Sequence, residues 1–291
     1  MNWRCMIPAA LGLSLCAAAV AEAQQQSEMG PPPILVITRE LAKAGKEPAH
    51  EKYERSWAKT YADAKWAVNY LGTSALTGEP RALFFSGYPS LADWEKDQQN
   101  LDKDAAFSAK VDALTDKDNE FLRESRLGVF RYLPELSHQA AVPIATMRYF
   151  VITSVVVKPG HGDHFSEIRR MVKAAHEKAG VNDHYAVYQL VAGGSPGHYL
   201  IIVPMKSLKE MDEAAALHGK AYQEAMGEEG RRKQLEFQGQ GVESAETNIF
   251  AFKPAISYVS KDWIDADPEF WAPKPKPAAK PAAKKEAPKK P

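Results

Sequence analysis

Val129-Phe130-Arg131-Tyr132-Leu133-Pro134-Glu135-Leu136-Ser137 returns, 120 residues later, as Ile249-Phe250-Ala251-Phe252-Lys253-Pro254-Ala255-Ile256-Ser257. Both stretches alternate apolar residues into a Pro-initiated turn. Working outward, Val36-Ile37-Thr38 recurs as Val151-Ile152-Thr153 at an offset of 115, and Gly78-Glu79-Pro80 as Gly194-Ser195-Pro196 at 116. Ser90-Leu91 recurs as Ser207-Leu208 at 117. The matches keep their order and the offset rises slowly, as small loop insertions produce. A period of this length repeats a domain, not a solenoid turn.

Each copy has the same coarse pattern. The apolar run Ile34–Thr38, matched by Tyr149–Val157, predicts a strand. A helix follows, with Tyr53, Trp57 and Tyr61 at four-residue spacing in one copy and Ile168, Val172 and Ala175 in the other. Val68–Thr77 with Arg81–Tyr88, and Tyr185–Val191 with His198–Val203, predict hairpins turned by Gly and Pro. Second helices over about Leu91–Leu114 and Leu208–Met226 lead into closing strands at Leu127–Leu133 and Thr247–Lys253. The order is β-α-β-β-α-β, the split βαβ plan. Repeat one spans 34–137, a linker 138–147, and repeat two 148–260.

Two consecutive units of this order resemble the dimeric α+β barrel group, which includes antibiotic-biosynthesis-monooxygenase-like and NIPSNAP-like domains. The resemblance covers 34–258 and rests on topology. It implies an α+β fold in which two ferredoxin-like units pack as an intramolecular pseudo-dimeric barrel.

The ends read differently. Arg4 precedes an apolar stretch from Cys5 to about Val20, and Ala21-Glu22-Ala23 offers small residues where a signal peptidase cuts, so 1–23 predicts a cleaved signal peptide. The competing readings are a membrane anchor, for which the run is short, and a lipoprotein at Cys16, where Leu15 is too large. Cleavage removes both cysteines and leaves no thiol, disulfide or Cys-based metal site. The expected location is periplasmic or secreted, with no membrane span after cleavage. Residues 24–33 predict a flexible lead-in, and 261–291 a disordered Lys/Pro/Ala-rich tail. Residues 272–291 hold seven Lys and one Glu; setting these and Arg4 and Glu22 aside leaves 29 basic against 35 acidic residues. An acidic body argues against a nucleic-acid partner. The tail is either a contact for an anionic envelope polymer or protein, or a solubilising spacer.

Most motifs fail on inspection. Gly193-Gly194-Ser195-Pro196-Gly197 fits the nucleophile-elbow spelling, but Pro196 has no N–H to donate to an oxyanion, and the segment joins two strands. His176-Glu177 lacks the second His of a zinc-protease helix, with Gly180 in its place. Asp116, Asp118 and Glu120 resemble the start of a calcium loop, but Phe121 replaces the required Gly; a solvated helix face is the expectation. His161 and His164 lack an evident third ligand.

His218 stands on a stripe with Leu208, Met211, Ala215 and Tyr222, at helical spacing facing the core. It reads either as a satisfied core histidine or as part of a ligand site. The resemblance adds that some haem-degrading relatives place an axial histidine on this helix with a supporting tryptophan; position 208 here is Leu. No cofactor and no metal is therefore expected. The candidate ligand-binding set is His218, Tyr222, Tyr188 and Met211, around a small hydrophobic or aromatic ligand. The favoured function is a non-catalytic envelope binder. A cofactor-independent monooxygenase or haem-degrading enzyme, and a scaffold acting through its basic tail, are the alternatives.

Overall fold

A computed structural model describes residues 30–180, 183–217 and 219–272. The expected signal peptide, the lead-in up to 29, the chain beyond 272 and His218 lie outside the described residues.

The first copy runs β1 (Ile34–Ala42), α1 (Glu47–Ala64), β2 (Leu71–Ala75), β3 (Ala82–Tyr88), α2 (Leu91–Lys103), α3 (Ala105–Asp118) and β4 (Leu122–Tyr132). The second runs β5 (Tyr149–Val157), α4 (Gly162–Ala179), β6 (Ala186–Ala192), β7 (His198–Met205), α5 (Lys209–Leu217), α6 (Lys220–Gln240) and β8 (Val242–Phe252). Within each copy the strands pair antiparallel in the order fourth, first, third, second. Pairing of β2 with β8 and of β4 with β6 joins the copies and closes an eight-stranded barrel, so no sheet edge is left open. This is the dimeric α+β barrel fold completed within one chain.

Strand alternation divides the apolar residues between two sides of the barrel wall. Leu35, Ile37, Phe85, Phe150, Ile152, Tyr188, Leu200, Ile202 and Phe250 point inward and form the central core. Val155, Val157, Val187 and Tyr199 point outward beneath α4 and α6, where Phe165, Ile168, Val172 and Phe237 cover them. The two copies match position by position. Glu40 of β1 pairs with Ala82 and Ser125, and Val155 of β5 with Tyr199 and Ala245, so Glu40 and Val155 occupy the same place.

Two expectations are corrected. The helix predicted over Leu91–Leu114 is two helices, because the Asp104 carboxylate accepts from the Phe107 N–H at 3.0 Å and starts a new N-terminus. The tail predicted from 261 is folded as far as Trp271, as α7 (Lys261–Ala266) and α8 (Pro268–Trp271). Trp271 is buried in the central core and its indole N–H donates to the Ala145 carbonyl at 2.6 Å. Arg148 lies over the Phe270 ring at 3.9 Å and pairs with Asp267. Aromatic burial is what orders this segment. Among the described residues no helix is long and apolar enough to cross a membrane.

Candidate functional site

One end of the barrel holds a cavity of about 690 Å³. Leu35 of β1, Phe85 of β3, Phe150 of β5, Ala186 and Tyr188 of β6, and Ile202 of β7 form its inner wall. All stand near the same rim, at the starts of β1, β5 and β6 and the ends of β3 and β7. Trp263 of α7 and Pro31 and Pro32 of the lead-in border it from outside. Its outer lip, on α2, is polar: Asp93, Lys96, Asp97 and Asn100. Tyr88 and Trp66 donate to Asp97, each at 2.9 Å. Burial raises the Asp97 pKa above the usual carboxylate range, and those two donors only partly offset it. An apolar chamber with a few convergent polar groups at its mouth is the usual form of a small-molecule site.

Tyr188 is fully enclosed, and its hydroxyl donates to the Pro32 carbonyl at 3.1 Å. Burial drives its pKa well above the ordinary tyrosine value, so it is a neutral donor. The opposite end of the barrel is polar. Ser154 and His198 Nε2 lie 2.7 Å apart, Arg39 pairs with Glu124, and Asn248 donates to Glu246 at 2.6 Å.

The expected set does not assemble. Tyr188 faces the barrel interior. Tyr222, on α6, packs against the His176 ring at 4.8 Å on the outer side of the wall. Met211 is half-buried on α5, and His218 lies outside the described residues. The helix expected over Leu208–Met226 is two helices, α5 and α6, which separates Met211 from Tyr222, and Tyr188 lies on the other side of the sheet. His161 and His164 stack with ring centroids 6.1 Å apart, and among the described residues no third ligating group joins them.

A second constellation lies outside the barrel in repeat one and was not foreseen. Glu40 on the outer face of β1, His50 and Glu54 on α1 and Asp118 at the end of α3 bring one ligating atom each to within 4.8 Å of one another. His50 Nε2 is 3.0 Å from Glu40, 3.5 Å from Glu54 and 3.6 Å from Asp118. His50 is 4 % exposed, Glu54 3 % and Asp118 3 %. Glu54 Oε1 and Asp118 Oδ1 have no hydrogen-bond partner; His50 Nε2 stands 3.5 and 3.6 Å from them. Burial, then the Glu40 and Asp118 charges, raises the Glu54 pKa strongly. Burial and Glu40 also raise that of Asp118, with His50 opposing. Asp118 is therefore not on a solvated face, as the acidic run suggested. A cavity of about 400 Å³ reaches Glu40, His50 and Glu54 from the surface. The signal that finds these residues is the duplication itself: at the offset of 115, Glu40, His50 and Glu54 stand where repeat two has Val155, Phe165 and Arg169.

No family model and no curated protein matches this sequence. Solved structures with the same architecture do. A proposed monooxygenase of Fusobacterium nucleatum superposes with a TM-score of 0.50 at 10 % identity, over 76 % of this chain and 92 % of that one. An anthrone oxidase-like protein gives 0.51 at 13 % identity, over 78 % and 94 %. A chlorite dismutase mutant of Candidatus Nitrospira defluvii gives 0.46 at 10 %, over 80 % and 96 %. At these identities the likeness is one of fold alone: the first two structures share the α+β barrel whose eight strands close within this chain.

Proposed function

We propose that the protein is a non-catalytic binder, exported by its N-terminal signal, that holds a small hydrophobic or aromatic ligand in the barrel-end cavity. The observation carrying this reading is the cavity: about 690 Å³ of space walled by Leu35, Phe85, Phe150, Tyr188 and Ile202 at one end of the barrel. A chamber of that size suits a drug-sized or smaller molecule. The Tyr188 ring offers an aromatic surface, and Asn69, Asn100 and Asp97 at the lip suit a polar end group left facing water. Fold likeness to oxidases does not bring their chemistry with it, because function lies in the site.

The test is a panel of indole, naphthol, decanoate and an anilinonaphthalene dye, read by tryptophan fluorescence, since Trp263 borders the chamber, and by thermal shift. At least one class is expected to bind with a micromolar Kd. Ala186→Phe, which puts a ring into the chamber, is expected to weaken that binding at least tenfold while the protein stays folded. Failure of every class with the native protein, or equal binding by folded Ala186→Phe, overturns the reading.

A further inference from the structure

We infer that Glu40, His50, Glu54 and Asp118 form a binding site for one divalent transition-metal cation, of the Mn²⁺ or Zn²⁺ kind, outside the barrel in repeat one. Three carboxylates and an imidazole gathered in a buried space are a costly arrangement. Buried charges persist where they are paired or coordinate a metal. An imidazole that ligates through Nε2 is neutral and offsets none of the carboxylate charge. A dication offsets two of the three carboxylate charges, and its preferred donors here are hard oxygens with one borderline nitrogen.

The geometry agrees with the charge. A tetrahedral ion with bonds of ~2.1 Å sets its ligand atoms ~3.4 Å apart. Around His50 Nε2 the observed separations are 3.0, 3.5 and 3.6 Å. Three of the six edges of a tetrahedron are thus near their required length, and all four ligating atoms lie within 4.8 Å of one another. The independent sign of a ligand is the pair of buried carboxylate oxygens, Glu54 Oε1 and Asp118 Oδ1, that lack a hydrogen-bond partner, with His50 Nε2 3.5 and 3.6 Å away. Both residues are 3 % exposed, so water in the bulk does not serve them. The second cavity, lined by Glu40, His50 and Glu54, gives an ion a route in.

Repeat two shows that the architecture does not require this polarity. Its equivalent of Glu40 is Val155, and its equivalent of His50 is Phe165. Phe237, the last buried residue of α6, stands in for Asp118, with its ring centroid 6.2 Å from that of Phe165. There the space around Val155, Phe165 and Phe237 is apolar, and the counterpart of Glu54 is Arg169, held over the Tyr185 ring at 4.6 Å. At Glu40, His50 and Asp118, polar groups stand in repeat one where repeat two has hydrocarbon.

The alternative occupant is a set of shared protons, and the experiment separates the two. The full chain is stripped with chelator and titrated with Mn²⁺ and with Zn²⁺ by calorimetry, and the Mn²⁺ form is examined by pulsed EPR. One equivalent per chain with a Kd below 10 µM by design, a rise in Tm with added metal, and ¹⁴N modulation from a single imidazole are expected. Glu54→Gln and Asp118→Asn, which keep the volume, are expected to weaken binding at least tenfold and to abolish the Tm rise. His50→Gln is expected to remove the ¹⁴N signal. Absence of binding of either ion at 1 mM, a bound Mn²⁺ without nitrogen modulation, or native affinity in folded Glu54→Gln overturns the proposal. The native-protein measurements decide the matter even where a variant fails to fold.

Discussion

Replacing Trp271 by Ala tests whether the end of the folded chain is part of the barrel core. The indole is 4 % exposed, packs against Phe252, Trp263 and Phe270, and donates to Ala145 at 2.6 Å. A buried aromatic side chain removes 150–250 Å² from water, which at about 25 cal/mol per Å² is roughly 4–6 kcal/mol as an upper bound. The lost hydrogen bond adds about 1 kcal/mol. Trp271 lies near the rim, where α8 can shift to fill part of the space. The expected loss is therefore about 3–5 kcal/mol, the usual range for aromatic-to-Ala changes in a core. In a protein of this size that lowers Tm by roughly 6–20 °C at about 2–4 °C per kcal/mol. Urea unfolding followed by far-UV circular dichroism measures it. A loss under 1 kcal/mol would refute the argument, because it would mean that α7 and α8 sit on a barrel already complete without them.

Two further outcomes follow from the geometry. Gly193 has φ +95°, and a Cβ there would meet the Leu127 carbonyl oxygen at 2.1 Å, so Gly193→Ala is expected to destabilise the β4–β6 seam by more than about 1 kcal/mol; an unchanged urea midpoint contradicts this. Burial lowers the His198 pKa and Arg39 lowers it further. The unfolded chain therefore takes up that proton first as pH falls below about 6.5, and the stability present above that value is lost on the way down. His198→Gln is expected to flatten the acid side of the stability curve below pH 6.5, and an unchanged slope in urea titrations between pH 7 and 5 excludes the effect.

The fold is legible in the sequence for a physical reason. Strand pairing imposes a period-two pattern, and the same pattern appears twice in the same order, so the topology can be read before any contact is known. Tyr188 is legible in the same way, since alternation along β6 puts it on the face of Ala186. The break at Asp104 is less so, because a capping side chain looks like any helical aspartate until its φ and ψ of −91° and 80° are known. The folded end could have been read: Trp263, Ile264, Phe270 and Trp271 are apolar residues in a segment otherwise judged by its charged neighbours. The acidic cluster is hidden because its members come from β1, α1 and α3, and each taken alone resembles a surface residue. Only position-by-position comparison of the copies reveals that they occupy core places.

That comparison bears on why the barrel is built from one chain. A homodimeric barrel must carry every substitution in both halves, so a buried polar cluster would be paid for twice. A tandem chain escapes this constraint. Here repeat two keeps Val155, Phe165, Val172 and Phe237 as a continuous apolar layer beneath α4 and α6. Repeat one places Glu40, His50, Glu54 and Asp118 in the corresponding space. The apolar layer of repeat two supplies stability through burial, and repeat one carries the carboxylate cluster. The two halves then differ in role while sharing a register. One consequence follows for the metal titration: among the described residues the pseudo-dimer has one such cluster per chain, so a stoichiometry of two cannot arise from these four residues.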